Sequence, residues 1–141
     1  MATGVRKAGE FCWINILTPD PAAAQAFFGS LLGWTFPPIP GIGHLVRVGN
    51  SDVGGIFDID SPQTPKGTPP YIGVMVKVDD VDAMAAKVTE LGGRTKPPFD
   101  VMGQARMAVC FDPAGANFDL WQAKAGPGTD VDAHAIGAPS W

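Results

Sequence analysis

LTPDPAAAQAFFGSLLGW, residues 17–34, is the stretch on which the fold turns. Asp20 is an N-cap whose carboxylate can accept from free N–H groups of the first turn, Pro21 suits that turn, and Gly33 stops the helix. Between them Ala24, Phe27, Phe28, Leu31 and Leu32 recur at the spacing that gathers apolar groups on one face. Residues 76–93, VKVDDVDAMAAKVTELGG, repeat the arrangement. Asp79 or Asp80 caps, Val81, Met84, Ala85, Val88 and Leu91 form the stripe, and Gly92 with Gly93 ends it. Asp20 to Gly33 and Asp79 to Gly92 are equal intervals, which predicts an internal duplication of about sixty residues.

A strand precedes each helix. Residues 11–17 alternate with Cys12, Ile14 and Ile16 on one face, and residues 71–78 alternate with Ile72, Val74, Val76 and Val78 on one face, the faces expected to meet the helices. Shorter strands are predicted at 34–39, 44–48 and 53–58 in the first half and at 94–99, 106–111 and 117–122 in the second. Each half therefore reads strand, helix, strand, strand, strand. Residues 60–70, rich in Pro, Ser and Thr, form the linking loop. The expected organisation is one domain over residues 1–122, with modules of about 9–59 and 70–122, and a tail at 123–141 outside the core. Gly137 and Trp141 repeat the interval of Gly9 and Trp13, which leaves three readings: the strand entry of a longer, multiply duplicated ancestor, a segment that docks on another subunit, or a floppy tail with a chance Trp.

A chain of 141 residues with 45% hydrophobic and 17% charged residues can bury a core without disulfide or metal staples. The net charge of −4, with no Lys or Arg run, argues against nucleic acid and membrane surfaces as partners. Cys12 and Cys110 lie in apolar alternating segments and read as buried thiols of a reducing compartment. No apolar stretch is long enough for a signal peptide or a membrane span, so a cytoplasmic protein is expected.

The paired modules, the two helical segments quoted above and FDPAGANFDLWQ at 111–122 together resemble the vicinal oxygen chelate superfamily, over roughly residues 9–122. That group includes glyoxalases, extradiol dioxygenases and bleomycin resistance proteins. The resemblance implies an α+β fold in which two βαβββ modules form a cupped, mainly antiparallel sheet with the helices on its outer face. GAPSW at 137–141 is similar to the opening of a second domain in tandem members, and chains of this length in the family pair as homodimers. Metal-dependent members place His, Glu or Gln at four strand positions. Carried onto this chain, those positions fall on Trp13, on or beside Gly73, on Asp119, and within residues 53–57, where no side chain can coordinate. With two His and two Glu in the whole chain, no metal ligand set and no cofactor is expected.

Alternation places Trp13 and Asn15, Tyr71 and Met75, and Asn117, Asp119 and Trp121 on the face away from the helices. The expected site is a cup for a small, partly aromatic molecule lined by Trp13, Asn15, Tyr71, Met75, Asp119 and Trp121, with the plainer alternative that the aromatics and Met75 fill core. Asp119 in apolar surroundings must be solvated, paired or used. It either pairs with Arg106 or keeps a raised pKa and acts as acid or base, with His44, beside Gly41 and Gly43, at the rim as a further candidate. Two readings result: a metal-free binding protein, and a metal-independent isomerase, epimerase or lyase using Asp119. A metal-dependent lyase or dioxygenase is the third.

Overall fold

A computed structural model describes residues 4–62 and 64–139. In chain order the elements are β1 (Phe11–Thr18), α1 (Pro21–Leu32), β2 (Pro38–Ile39), β3 (Gly43–Val48), β4 (Ser51–Asp58), β5 (Tyr71–Lys77), α2 (Val81–Glu90), β6 (Arg94–Thr95), β7 (Phe99–Val101), β8 (Ala105–Phe111) and β9 (Asn117–Ala123). The class is α+β, and each half runs strand, helix and then further strands. Backbone packing divides the chain into two compact units. The first holds residues 14–72 and the segment from Thr129 on, and the second holds residues 5–13 and 73–128. Among the described residues no helix is long and apolar enough to cross a membrane.

In the first unit the strand order is β2-β3-β4-β1. β1 and β4 run parallel, with Ile14 opposite Gly54 and Asn15 opposite Gly55, while β3 is antiparallel to its neighbours. The Asp20 carboxylate accepts from the Ala23 N–H at 3.0 Å, and Gly33, at φ 71°, closes α1 in the left-handed conformation that glycine tolerates. Ile14, Ile16, Val46 and Ile56 form the core, and Ala24 and Phe28 of α1 pack on it. The predicted five-residue stripe is thus only partly used. Phe27 and Leu31, 60% and 62% exposed, point away. On the other face of this unit the Phe57 ring lies across two glycines. A Cβ on Gly43 would meet that ring at 2.7 Å, and one on Gly55 at 2.5 Å.

The tail differs from expectation. Val131 is buried in the first unit's core with Trp34, and the Trp34 Nε1–H donates to the Gly137 carbonyl at 2.6 Å. An aperiodic segment therefore contributes to the core through single anchoring residues, which a search for periodicity passes over. Ser140 and Trp141 lie outside the described residues.

In the second unit the order is β5-β9-β8-β6, with β7 also on β8, so the single strand predicted at 94–99 becomes two short ones. β5 and β9 run parallel with Met75 opposite Asp119, repeating the first unit's pairing of first and last strands. Asp80, not Asp79, caps α2: its carboxylate accepts from Ala83 N–H at 3.0 Å, and the free N–H of Val81 donates to Gln122 Oε1 at 2.8 Å. Val81 and Ala85 of α2 bury against Ala108, Cys110 and Leu120. A separate cluster contains Cys12, Met75, Ala105, Met107 and Trp121. Cys12 had been expected beside Ile14 and Ile16; it packs here instead, where a Cβ on Gly128 would come within 3.0 Å of its own.

Candidate functional site

β9 decides the chemistry of the second unit. Phe118 and Leu120 turn toward α2, which leaves Asn117, Asp119 and Trp121 on the opposite face. Trp13 joins them, its ring stacked on Trp121 with centroids 5.9 Å apart and planes 25° from parallel. Met75, directly opposite Asp119 on β5, and Met107, opposite Trp121 on β8, complete an apolar bed. The second unit thus brings together Trp13, Met75, Asp119 and Trp121. Asn15 and Tyr71 belong to the first unit, both half-buried, Asn15 beside the side-chain-free Gly55.

Access separates the four. Asp119 is 2% exposed, Trp121 5%, and Met75 fully buried, so these three form the floor. Trp13 is half-buried and Asn117 exposed, so they are the members of the group open to solvent. The Trp121 Nε1–H is satisfied by the Gly126 carbonyl at 3.1 Å, and the Lys77 ammonium donates to the Pro127 carbonyl at 2.8 Å. The chain at 126–128 therefore closes over one end of the tryptophan bed, a role invisible in the sequence beyond its Gly-Pro-Gly run.

Burial pushes the Asp119 carboxyl up to about 6, and three favourable contacts limit the rise: the Asn117 amide, a backbone N–H of Cys110 and the positive charge of Lys96. The Asn117 Nδ2 group donates to Asp119 Oδ1 at 3.3 Å and to the Cys110 carbonyl at 3.0 Å. Burial thus sets the state of the carboxylate, tempered by Asn117, Cys110 and Lys96, and neither Asn117 nor Lys96 had been assigned a role. The clue for Asn117 was its place two residues from Asp119 on the same face.

Arg106 is not the partner of Asp119. The register sets Val109 opposite Asp119 and Arg106 opposite Gln122, and alternation sends Arg106 to the α2 side. There its guanidinium donates to both Asp82 oxygens at 2.7 and 2.9 Å and to Asp100 at 3.3 Å. Its bonds to Asp82 hold that carboxyl below the usual range. His44 is also displaced from the expected rim: from β3 it pairs with Ile56 of β4, facing α1, and its Nδ1 lies 3.2 Å from Gln25 Nε2. Neither residue supplies acid–base chemistry beside Asp119. Burial raises the thiols of Cys12 and Cys110 to about 12 and about 11, so both remain protonated and unreactive at neutral pH.

The donors do not fit a divalent ion. Of the four positions that the family resemblance singles out, Asp119 alone offers an oxygen, and among the described residues no three His, Cys, Asp or Glu side chains gather into a ligand set.

Residues 13–121 match the sequence pattern of the glyoxalase-like domain family. The chain belongs to that family. This glyoxalase-like domain is 37% identical over 122 residues to CFP32 of Mycobacterium tuberculosis, a protein named as a glyoxylase, covering 83% of this chain and 47% of the relative. It is 33% identical over 138 residues to the anthracycline biosynthesis protein DnrV of Streptomyces peucetius, covering 87% and 50%. The chain spans about half the length of both relatives. In fold the domain is similar to methylmalonyl-CoA epimerase of Mycobacterium tuberculosis, with TM-score 0.61, 18% identity, and coverage of 87% of this chain and 92% of that one. It is also similar to the Mn(II)-bound glyoxalase of Novosphingobium aromaticivorans, with TM-score 0.61, 16% identity, and coverage of 92% and 43%. The family and these folds all fit the vicinal oxygen chelate superfamily.

Proposed function

We propose that this glyoxalase-like domain binds a small, planar, partly aromatic molecule without a resident metal, its ring laid on Trp13 and its polar end at Asn117 and Asp119. The carrying observation is the stacked Trp13–Trp121 pair beside a buried carboxylate. An aromatic ligand extending such a stack gains about 0.5–1.5 kcal/mol beyond the area it buries. At neutral pH Asp119 is mostly ionised, so it favours a ligand carrying an N–H or O–H donor or a positive charge. The relative named for anthracycline biosynthesis, whose chemistry concerns planar fused rings, supports the same ligand class.

Calorimetric titration with a hydroxyanthraquinone, on protein purified without chelator, tests the proposal. Binding unchanged by EDTA and weakened at least tenfold by Trp13→Ala is expected. Equal affinity of wild type and Trp13→Ala, or stoichiometric metal whose removal abolishes binding, overturns it.

A second reading, proton transfer by Asp119 in an isomerase, epimerase or lyase, draws on a carboxyl pKa of about 6, near the working pH of a general base. Its mark is solvent deuterium entering a C–H bond of a bound carbonyl compound, lost in Asp119→Asn while binding persists.

A further inference from the structure

Three rows cross the second unit's sheet from β9 to its outer edge, and each ends on a residue that the binding reading has not used. From Asn117 the register runs through Phe111 to Arg94, and from Trp121 through Met107 to Phe99. Between these rows Asp119 stands opposite Val109, whose carbonyl accepts from the Lys96 N–H at 2.9 Å. Residues paired in register point to the same side of a sheet, and Met107 and Val109 pack in the cluster of Trp121. Arg94, Lys96 and Phe99 therefore stand on the face away from α2, along β6 and the start of β7.

All three are exposed. The Arg94 guanidinium lies over the Phe111 ring, 5.3 Å from its centroid. Among the described residues neither it nor the Lys96 ammonium forms an ion pair with a carboxylate. A chain of net charge −4 thus keeps two unpaired cations side by side on one edge. Asp119, on the same face, is buried two strands inward, roughly 10 Å away at ordinary strand spacing.

Resting on the binding reading above, we propose that Arg94 and Lys96 recognise an anionic group on the ligand, which is therefore a planar hydroxy acid. Its hydroxyl meets Asp119, its ring lies on Trp13 and reaches along Met107 toward Phe99, and its carboxylate sits at the two cations. A guanidinium held flat against a ring keeps its N–H fork open to both oxygens of a carboxylate. The span from Asp119 to the edge suits a fused ring system, and the opposite charges at its two ends fix the ligand's orientation as well as its affinity.

Calorimetric titration of the full chain with a dihydroxyanthraquinone, and with the same quinone bearing a ring carboxylate, tests this, with far-UV circular dichroism as the check on folding. Wild type is expected to bind the carboxylated quinone at least tenfold more tightly. Lys96→Met and Arg94→Met should each shrink that ratio at least threefold, and together bring the two affinities within about twofold of each other. The ratio is the readout because the charge of Lys96 also acts on Asp119, and so on both quinones. Lys87→Met, which breaks an exposed pair with Glu90 on α2, should leave the ratio as it is. Equal binding of the two quinones by wild type overturns the inference, as does a ratio that survives the double variant or falls as far in Lys87→Met. In those cases the stacked-ring reading still stands if Trp13→Ala weakens both quinones. Failure of wild type to bind either quinone overturns both.

Discussion

Counted from their helix caps, Asp20 and Asp80, the two units place Asn15 and Met75 at equivalent positions sixty residues apart, and the parallel partners of those residues are Gly55 and Asp119. One scaffold position is therefore filled in two ways. In the first unit the side chain is deleted and the Phe57 ring occupies the room. In the second a carboxylate is inserted and must be held by Asn117, Cys110 and Lys96. A repeated backbone thus specialises by what stands at one register position: one half keeps an inert packing surface, the other a titratable group beside stacked rings.

The comparison can be broken hardest at the part of the tail from Thr129 on, which belongs to the first unit. A chain ending at Gly128 loses Val131 from that core and leaves the Trp34 indole unpaired, so urea denaturation should show a loss of about 3–5 kcal/mol, or no cooperative transition for that unit.

At the second unit, Asp119→Asn should stabilise. The folded pKa of about 6 lies above the unfolded value near 3.9, so the folded state holds the extra proton between them. The contribution of Asp119 to stability is then greatest below about pH 4 and declines as pH rises toward 6, by about 2–3 kcal/mol, against the opposite trend of Asp82 and Asp100, whose carboxyls are held low by their basic partners. The variant should flatten that decline and unfold at a higher temperature than wild type at pH 7.

Gly55→Ala gives the first unit a side chain where the second has one. The Phe57 ring must shift, at a cost of about 1–3 kcal/mol, and the cost should largely vanish in a Phe57→Ala background, a coupling that a double-mutant cycle reads directly. Trp34→Phe, which leaves the Gly137 carbonyl without its donor, should cost about 1 kcal/mol by the same denaturation assay. Arg106→Ala is expected to have the smallest effect: it removes exposed ion pairs on the far side of the sheet and should leave the pH midpoint of the Asp119-linked transition unmoved.

The duplication and both helices were legible because Asp-capped apolar stripes ending in glycine are local signals that tertiary packing here reinforces, whereas the parallel pairing of first and last strands carries no local signal and came from the structure. Alternation also placed Trp13, Met75, Asp119 and Trp121 together, since period two alone fixes which face a strand residue takes. It did not reveal how deep they lie, because burial depends on what covers a face, and the cover at 126–128 has no regular pattern. Arg106 was misplaced as a partner of Asp119 for want of register: one residue of slip reverses the face, and only the pairing of Val109 with Asp119 fixes it. His44 shows the same limit: its strand was foreseen, but its glycine neighbours suggested the rim of the cup, whereas pairing with Ile56 turns the imidazole toward α1.

The bond from Trp34 to Gly137 spans 103 positions, and Val131 completes a core begun at Ile14. During synthesis the first unit cannot finish until the whole of the second has left the ribosome. The half made earliest is then the last to be sealed, its unsatisfied indole and open hydrophobic centre exposed throughout translation, a slow closure set by contact order that gives chaperones their longest opportunity to act.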